Sequence, residues 1–276
     1  MAALTLQQFA VKSIEERIAA SNPTNGLCRF ANYAANASKD IFTPNTNFWL
    51  RGVDFSCVSP WNSAGGRLRA GTAISKRHVV FAKHFPLWKG TRIVFLGEDG
   101  GLCPCYIEAT KEIDDTDIMI GLLNAELTPN IHPAKILPPD YEKYIGDGGG
   151  IPVVTFNQHE NAFLTYMTMI FTDPKVRMLC GREPSDPKQK LFRRQIIVGD
   201  SGDPAFLLIG NHPILLYCLY GGGCGSGHAL HRKRYQIQAA MDELCPGYTL
   251  EVFDFKRVKS DGTGDGTAAD GHLRKF

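Results

Sequence analysis

The amino-acid sequence predicts an all-β protein with one helix near each end. Short apolar and β-branched runs recur along the chain, and glycine, proline, asparagine and aspartate separate them. Strands bounded by such residues are typical of β-barrels and sandwiches, and helices do not alternate with them as a parallel sheet would require. Two sets of these runs lie on either side of a Pro- and Gly-rich stretch, which indicates two lobes.

Two segments have the character of helices. In the first, apolar residues recur on one helix face, namely Leu6, Phe9, Ala10, Ile14 and Ile18. Charged residues interrupt this segment and no positive stretch precedes it, so it does not resemble a signal peptide. The second segment, residues 235–244, has a helical composition and is followed by Pro246 and Gly247, which end helices.

The remaining apolar runs predict the strands. The first set covers residues 69–75, 78–85, 91–97, 105–110 and 116–123. The second set covers residues 151–157, 162–171, 176–181, 193–199, 204–210 and 212–222, with a last strand over 248–255. The sequence "GEDGG" at 97–101 is a hairpin signal between two strands of the first set.

These patterns divide the chain into five regions. Residues 1–47 form a helix and an extension, 48–127 a first lobe, 128–150 a linker, 151–255 a second lobe with the later helix, and 256–276 a tail. The tail is expected to be mobile because residues 259–272 contain almost nothing that could join a core.

Composition excludes several classes of function. The 276 residues carry 30 Lys+Arg against 28 Asp+Glu, a net charge of +2 that gives no reason to expect nucleic acid or an anionic membrane as partner. No apolar run reaches the roughly 18–20 residues that span a bilayer. We therefore expect neither nucleic acid nor membrane as partner, and a cytoplasmic location by default.

The eight cysteines do not require disulfides in a chain of this length. Cys224, His228 and His231 have ligand chemistry, but no clear fourth ligand accompanies them, so no metal site is predicted. No cofactor is expected either.

The segment "VGDSGDPAF", residues 198–206, raises the question of whether Ser201 is a nucleophile. Glycine, aspartate and serine also suit a tight turn, so this segment alone does not decide the matter. A serine hydroxyl needs a base to remove its proton, usually a histidine that a carboxylate orients. His84 follows an apolar strand and Asp117 precedes another, which makes these two residues the candidates.

Four segments together resemble the trypsin-like serine peptidases. "GTAISKRHVVFAKHF" is similar to the segment that carries their histidine, and "TDIMIGLL" to the strand that follows their aspartate. "VGDSGDPAF" is similar to their nucleophile loop, and "LLYCLYGGGCGSG" to one wall of their substrate cleft. The order of the four also agrees. Over roughly residues 48–255, the resemblance implies two antiparallel six-stranded β-barrels of the chymotrypsin type with a cleft between them.

The resemblance assigns a role to each matching residue. His84 corresponds to the general base, Asp117 to the acid that orients it and Ser201 to the nucleophile. The backbone N–H groups of Gly199 and Ser201 correspond to the oxyanion hole, and Asp200 to the aspartate that anchors the loop. His78 is the alternative to His84, and the motif's register favours His84.

Asp114 and Asp115 are the alternatives to Asp117, which alone immediately precedes the apolar strand.

The same alignment gives an expectation for the substrate. Gln195 falls near the base of the primary pocket, where no carboxylate would select a basic side chain. Gly221, Gly222 and Gly223 fall on its wall, where an extended substrate can form main-chain hydrogen bonds. The chain is therefore expected to be a serine endopeptidase that acts on proteins or peptides, next to an uncharged side chain. The alternatives are a binding module of the same fold without turnover and an esterase with the same triad.

Three positions depart from the family pattern, and one processing signal is missing. Phe85 replaces a cysteine, so the disulfide next to the histidine is missing, and Lys83 replaces a small residue. Asp203 replaces a glycine and is expected to cap its turn, although a carboxylate in the cleft is the alternative. No zymogen-type cleavage site is present, so Asp200 is expected to find an internal partner without an activating cleavage.

Overall fold

The computed structural model describes residues 5–33, 39–61, 70–168 and 178–258. This part of the chain is mostly β, with two curled sheets, one short two-stranded ribbon and few helices. The helices are α1 (Leu6–Ala19), α2 (Pro23–Gly26), α3 (Glu142–Ile145), α4 (Pro187–Lys190) and α5 (Arg234–Leu244). None of the helices in the described ranges has the length and apolar character needed to cross a membrane.

The ribbon and the first sheet come from the N-terminal half. The ribbon pairs β1 (Phe30–Ala31) with β2 (Thr43–Pro44). The sheet has the order β3-β4-β7-β6-β5 and consists of β3 (Thr72–Ala73), β4 (His78–Ala82), β5 (Arg92–Leu96), β6 (Leu102–Ile113) and β7 (Ile118–Leu123). Strand β6 pairs with β5 through its first part and with β7 through its second, and its register shifts between Ile107 and Ala109. This long strand, shared between two neighbours, accommodates the curl of the sheet.

The second sheet has seven strands in the order β14-β11-β10-β9-β12-β13-β8. They are β8 (Lys135–Ile136), β9 (Pro152–Phe156), β10 (Ala162–Met167), β11 (Met178–Arg182), β12 (Pro204–Ile209), β13 (His212–Cys218) and β14 (Ser226–His228). All neighbours are antiparallel except β8, which is parallel to β13. The predicted linker 128–150 therefore supplies an edge strand of this sheet as well as helix α3.

Two predicted strands are wrong. Residues 193–199 are irregular because Ile197 and Val198 are exposed beside a cavity instead of buried in a sheet. Residues 248–255 form a single bridge, from Val252 to Ile136. Strand β8 is too short to pair further, since prolines on both sides of it lack the N–H that a longer ladder needs.

The described strands form sheets of five and seven, so the two six-stranded barrels remain a prediction. The part of the predicted tail from residue 259 onward lies outside the described residues.

The structure confirms both predicted helices. Helix α1 begins after Thr5, whose side chain accepts a hydrogen bond from the N–H of Gln8 while the Gln8 side chain accepts one from the N–H of Thr5. Of the predicted apolar face, Ala10, Ile14 and Ile18 are buried, and Leu6 and Phe9 are half-buried. Helix α5 likewise buries one face, formed by Ile237, Ala240 and Met241.

A buried aromatic cluster packs the segment before β3 against the second sheet. The ring of Phe55 lies 4.9 Å from that of Phe156 and 5.5 Å from that of Phe206, which are on β9 and β12. All three side chains are buried, and each contributes about 2 kcal/mol or more through the area it removes from water.

A buried ion pair connects the N-terminal extension to the hairpin between β9 and β10. Nη2 of Arg29 lies 3.0 Å from Oε2 of Glu160, and Glu160 is fully buried. The guanidinium also donates to the carbonyl oxygens of Phe55 (2.8 Å) and Val58 (3.2 Å). Burial raises the pKa of the Glu160 carboxyl to about 7, and the Arg29 guanidinium opposes that rise. Arg29 therefore compensates a carboxylate that water cannot reach.

Replacing Arg29→Ala is expected to lower the free energy of unfolding by about 3 kcal/mol, because it leaves a buried carboxyl group without its cation. Urea unfolding at neutral pH measures this change. The matched control is Lys12→Ala, since Lys12 pairs with Glu16 on an exposed helix face at 3.7 Å. We expect the control to change stability by less than about 0.5 kcal/mol. Equal effects of the two variants would contradict the importance given to the buried pair.

Candidate active site

Strand pairing in the first sheet brings His84 and Asp117 together. Strands β4 and β7 are antiparallel neighbours, and Ala82 at the end of β4 lies opposite Ile118 at the start of β7. The backbone N–H of Lys83 donates to the carbonyl oxygen of Asp117 (2.9 Å), which continues the ladder by one step. His84 and Asp117 therefore leave the sheet at the same corner.

The three residues assigned to a catalytic triad form one hydrogen-bonded chain. Nδ1 of His84 lies 2.6 Å from Oδ2 of Asp117, and the backbone N–H of His84 donates to Oδ1 (2.9 Å). Nε2 of His84 lies 2.8 Å from Oγ of Ser201. A carboxylate at Nδ1 holds the proton on that nitrogen, which leaves the Nε2 lone pair to accept the serine hydroxyl proton.

The exposure of the triad suits this division of roles. The side chain of His84 is 42% exposed and that of Asp117 only 9%. The acid is thus shielded behind the histidine, while the histidine and Ser201 border a cavity that a substrate can enter.

His78, the alternative base, has a structural role. It is fully buried on β4, its Nδ1 lies 2.8 Å from Oγ of Ser75, and its ring packs edge-on against Tyr248. Burial lowers the pKa of His78 to about 4, so this ring is neutral at ordinary pH. Of the three candidate aspartates, Asp117 is the one that contacts His84.

The loop that carries Ser201 depends on two glycines with positive φ. Gly199 has φ +104° and Gly202 has φ +92°, values that side chains rarely allow. The N–H of Gly202 donates to the carbonyl oxygen of Leu219 (2.9 Å), and the N–H of Leu219 donates to that of Asp203 (2.8 Å). These bonds fix the loop against the end of β13.

Asp200 has its partners inside the chain, as expected. Its fully buried carboxylate accepts hydrogen bonds from the backbone N–H (3.1 Å) and Nε2 (3.1 Å) of Gln158 and from the N–H of Ile197 (2.8 Å). Nε2 of Gln158 also donates to the carbonyl oxygen of Val198 (2.9 Å). The sequence analysis missed Gln158, because the residues around it have the composition of an ordinary turn and do not indicate a distant partner.

Two departures from the family pattern have clear places. Asp203 is fully buried and is not among the described residues that line the cavity, so it is not a carboxylate of the open cleft. Nζ of Lys83 pairs with Glu112 at 2.7 Å on the outer side of the sheet.

The cavity beside Ser201 has a volume of about 430 Å³ and is mostly apolar. It is lined by His84, Phe85, Ile196, Ile197, Val198, Gly199, Ser201, Leu219, Tyr220, Gly221 and Gly222. The ring of Tyr220 stands edge-on to that of His84 at 5.5 Å and 90°.

Gln195, expected at the base of the pocket, is exposed and lies outside this lining, as does Gly223. Ile196 takes the inner position.

One group outside the triad brings possible metal ligands together. The ligand atoms of Asp54, Glu98 and His132 lie within 4.8 Å of one another. Glu98 and His132 are exposed, and Nδ1 of His132 lies at hydrogen-bond distance, 2.7 Å, from Oδ2 of Asp54, so two of the three groups already bind each other. His231, considered above as a ligand, is buried edge-on against Tyr141.

Comparison with known proteins adds no family. A scan against protein-family models finds no match, and a search of the curated proteins finds none either. The function of this chain is therefore inferred from the geometry around Ser201 and from the motifs that surround it.

Because buried His78 is neutral in the folded chain, we expect the free energy of unfolding to decrease as the pH falls. The unfolded chain takes up a proton on this histidine below about pH 6.5, whereas the folded chain does so only near pH 4. Stability is thus lost as the pH falls through this window. We expect His78→Gln to reduce the loss between pH 7 and pH 5 by about 1 to 2 kcal/mol, as measured by urea unfolding. An unchanged loss in the variant would contradict this role.

Proposed function

We propose that this chain is a serine endopeptidase. The observation that supports the proposal most directly is the continuous chain of hydrogen bonds from Asp117 through His84 to Ser201, at 2.6 and 2.8 Å. The sequence around each of the three residues is similar to the corresponding segment of the trypsin-like peptidases. In this proposal the two curled sheets are the two β-barrels of that fold, and the active site lies between them.

The first half of the reaction forms an acyl-enzyme. Oγ of Ser201 attacks the carbonyl carbon of the substrate, and its proton passes to Nε2 of His84. The carbonyl oxygen becomes an oxyanion that the N–H groups of Gly199 and Ser201 stabilise, each typically contributing about 10² to 10³ in rate. The carbon–nitrogen bond then breaks, and His84 returns the proton to the leaving amine.

The second half releases the acid. Water attacks the ester carbonyl carbon while Nε2 of His84 takes one of its protons. The second tetrahedral intermediate collapses, the bond to Oγ breaks and His84 returns the proton to Ser201. Asp117 stays ionised throughout and stabilises the imidazolium that forms in each half.

The cavity supports a preference for an uncharged, apolar side chain next to the scissile bond. Apart from His84, none of the lining residues in the described part of the chain carries a charge. Burying a lysine or a carboxylate there would leave that charge unpaired, which is strongly unfavourable. Val198 is 91% exposed at the rim, where it can cover the bound side chain.

A fluorophosphonate probe is expected to label Ser201 in the wild type. Ser201→Ala removes the reacting oxygen and His84→Ala removes the base, so both variants should show no labelling. Asp117→Asn is expected to reduce the labelling rate by about 10⁴, because the imidazole then adopts the wrong tautomer. Peptide mapping by mass spectrometry locates the adduct.

Three results would decide against the proposal or in favour of an alternative. Equal labelling of wild type and Ser201→Ala would exclude the triad. No labelling of the wild type would favour a binding module without turnover. Labelling together with hydrolysis of esters, but of no peptide, would favour an esterase.

Cleavage of a peptide library is expected to occur after apolar residues. We expect kcat/KM for leucine or phenylalanine at this position to exceed that for lysine or aspartate by more than about 100-fold. Val198→Glu adds a carboxylate at the exposed rim and should reduce the discrimination against lysine. A wild type that prefers basic residues would contradict the apolar assignment of the cavity.

A further inference from the structure

We propose that Arg29 and Glu160 are positioning residues for the nucleophile loop, a role that rests on the proposed function. They act through the hairpin tip, residues 157–161, between β9 and β10. On one side of the tip lies the N-terminal segment, residues 27–31. On the other side lies the loop 197–201, which carries Ser201.

The N-terminal segment is attached to the hairpin tip by backbone bonds as well as by the ion pair. The N–H of Arg29 donates to the carbonyl oxygen of Glu160 (2.9 Å), and the N–H of Ala162 donates to that of Leu27 (2.9 Å). Cys28 and Asn161 form an antiparallel bridge. The segment thus pairs with the tip as an added strand. The side chains of Arg29 and Glu160 add an ion pair of 3.0 Å between the two.

Glu160 is an unusual residue for its position in the tip. Its φ is +55°, in the left-handed region where glycine and asparagine are favoured, and its side chain is fully buried. The positive φ and the burial of the carboxyl group are both energetically unfavourable for a glutamate. The guanidinium of Arg29 is the cation that stabilises it, so the conformation of the tip depends on this pair.

The opposite side of the same tip holds the nucleophile loop. Gln158 lies two residues before Glu160, and its backbone N–H and Nε2 both donate to Oδ1 of Asp200. Its Nε2 also donates to the carbonyl oxygen of Val198. Val198 and Asp200 flank Gly199, so a displacement of the tip moves the N–H groups of Gly199 and Ser201.

Loss of the pair should therefore affect the chemical step more than substrate binding. The donors of an oxyanion hole act on charge that develops only in the transition state, so misplacing them lowers kcat and leaves KM nearly unchanged. The contact of His84 with Asp117 stays in place, because both residues lie at the corner of the first sheet, away from the tip.

The test compares the second-order rate constant of fluorophosphonate labelling in full-length wild type, Glu160→Gln, Gln158→Ala and the double variant. Glu160→Gln keeps the shape of the side chain and removes its charge, and we expect it to slow labelling by about tenfold. If Glu160 acts through Gln158, the double variant will be little slower than Gln158→Ala alone. With a peptide substrate, kcat should fall in the same proportion while KM stays constant.

Tyr33→Phe is the matched control, since it removes a buried hydrogen bond of the N-terminal extension to the carbonyl oxygen of Pro60 (2.6 Å) that does not involve the tip. We expect it to lower the melting temperature and to leave the labelling rate unchanged. If Glu160→Gln does not fold, Arg29→Lys replaces it and should give a smaller loss of rate.

If the wild type is labelled and Glu160→Gln is labelled at the same rate, the inference is overturned and the proposed function is not. The inference also fails if the effects of Glu160→Gln and Gln158→Ala on the labelling rate are fully additive in the double variant. An unlabelled wild type would instead overturn the proposed function, and the inference with it.

Discussion

The buried carboxylate of Asp200 is the constraint on which the arrangement around Ser201 depends. A carboxylate removed from water requires hydrogen-bond donors, and here two come from Gln158 and one from Ile197. These bonds fix the backbone on both sides of Gly199. The nucleophile loop is thereby held in shape by a partner within the chain, which agrees with a site that needs no cleavage to form.

The rest of the site follows from strand pairing. Strand β4 ends and strand β7 begins at one corner of the first sheet, where His84 and Asp117 meet, and the loop before β12 of the second sheet brings Ser201 to them. One buried hydrophobic cluster, which includes Val79 and Phe81 of the first sheet and Phe156 and Phe206 of the second, joins the two sheets. In the proposed reaction, strands β4 and β7 therefore position the base and the acid, and the loop before β12 supplies the nucleophile.

Local patterns were sufficient to predict the helices, most strands and the three residues that form the hydrogen-bonded chain. Helix α1 has its apolar residues at helical spacing, and His84, Asp117 and Ser201 lie in segments with distinctive neighbours. Periodicity could not reveal Gln158 or the Arg29–Glu160 pair, because these contacts join residues far apart in sequence within ordinary turn composition. The strand predicted over 193–199 does not form, and Ile196, Ile197 and Val198 line a cavity instead.

In the proposed reaction, His84 and Asp117 make Ser201 a nucleophile that forms an acyl-enzyme. Rapid-quench mass spectrometry during turnover of an activated ester of an apolar N-acyl amino acid tests this most directly. We expect a transient acyl adduct on the fragment that contains Ser201, formed faster than it decays and absent from His84→Ala. Hydrolysis without an adduct, or an adduct on another residue, would contradict it.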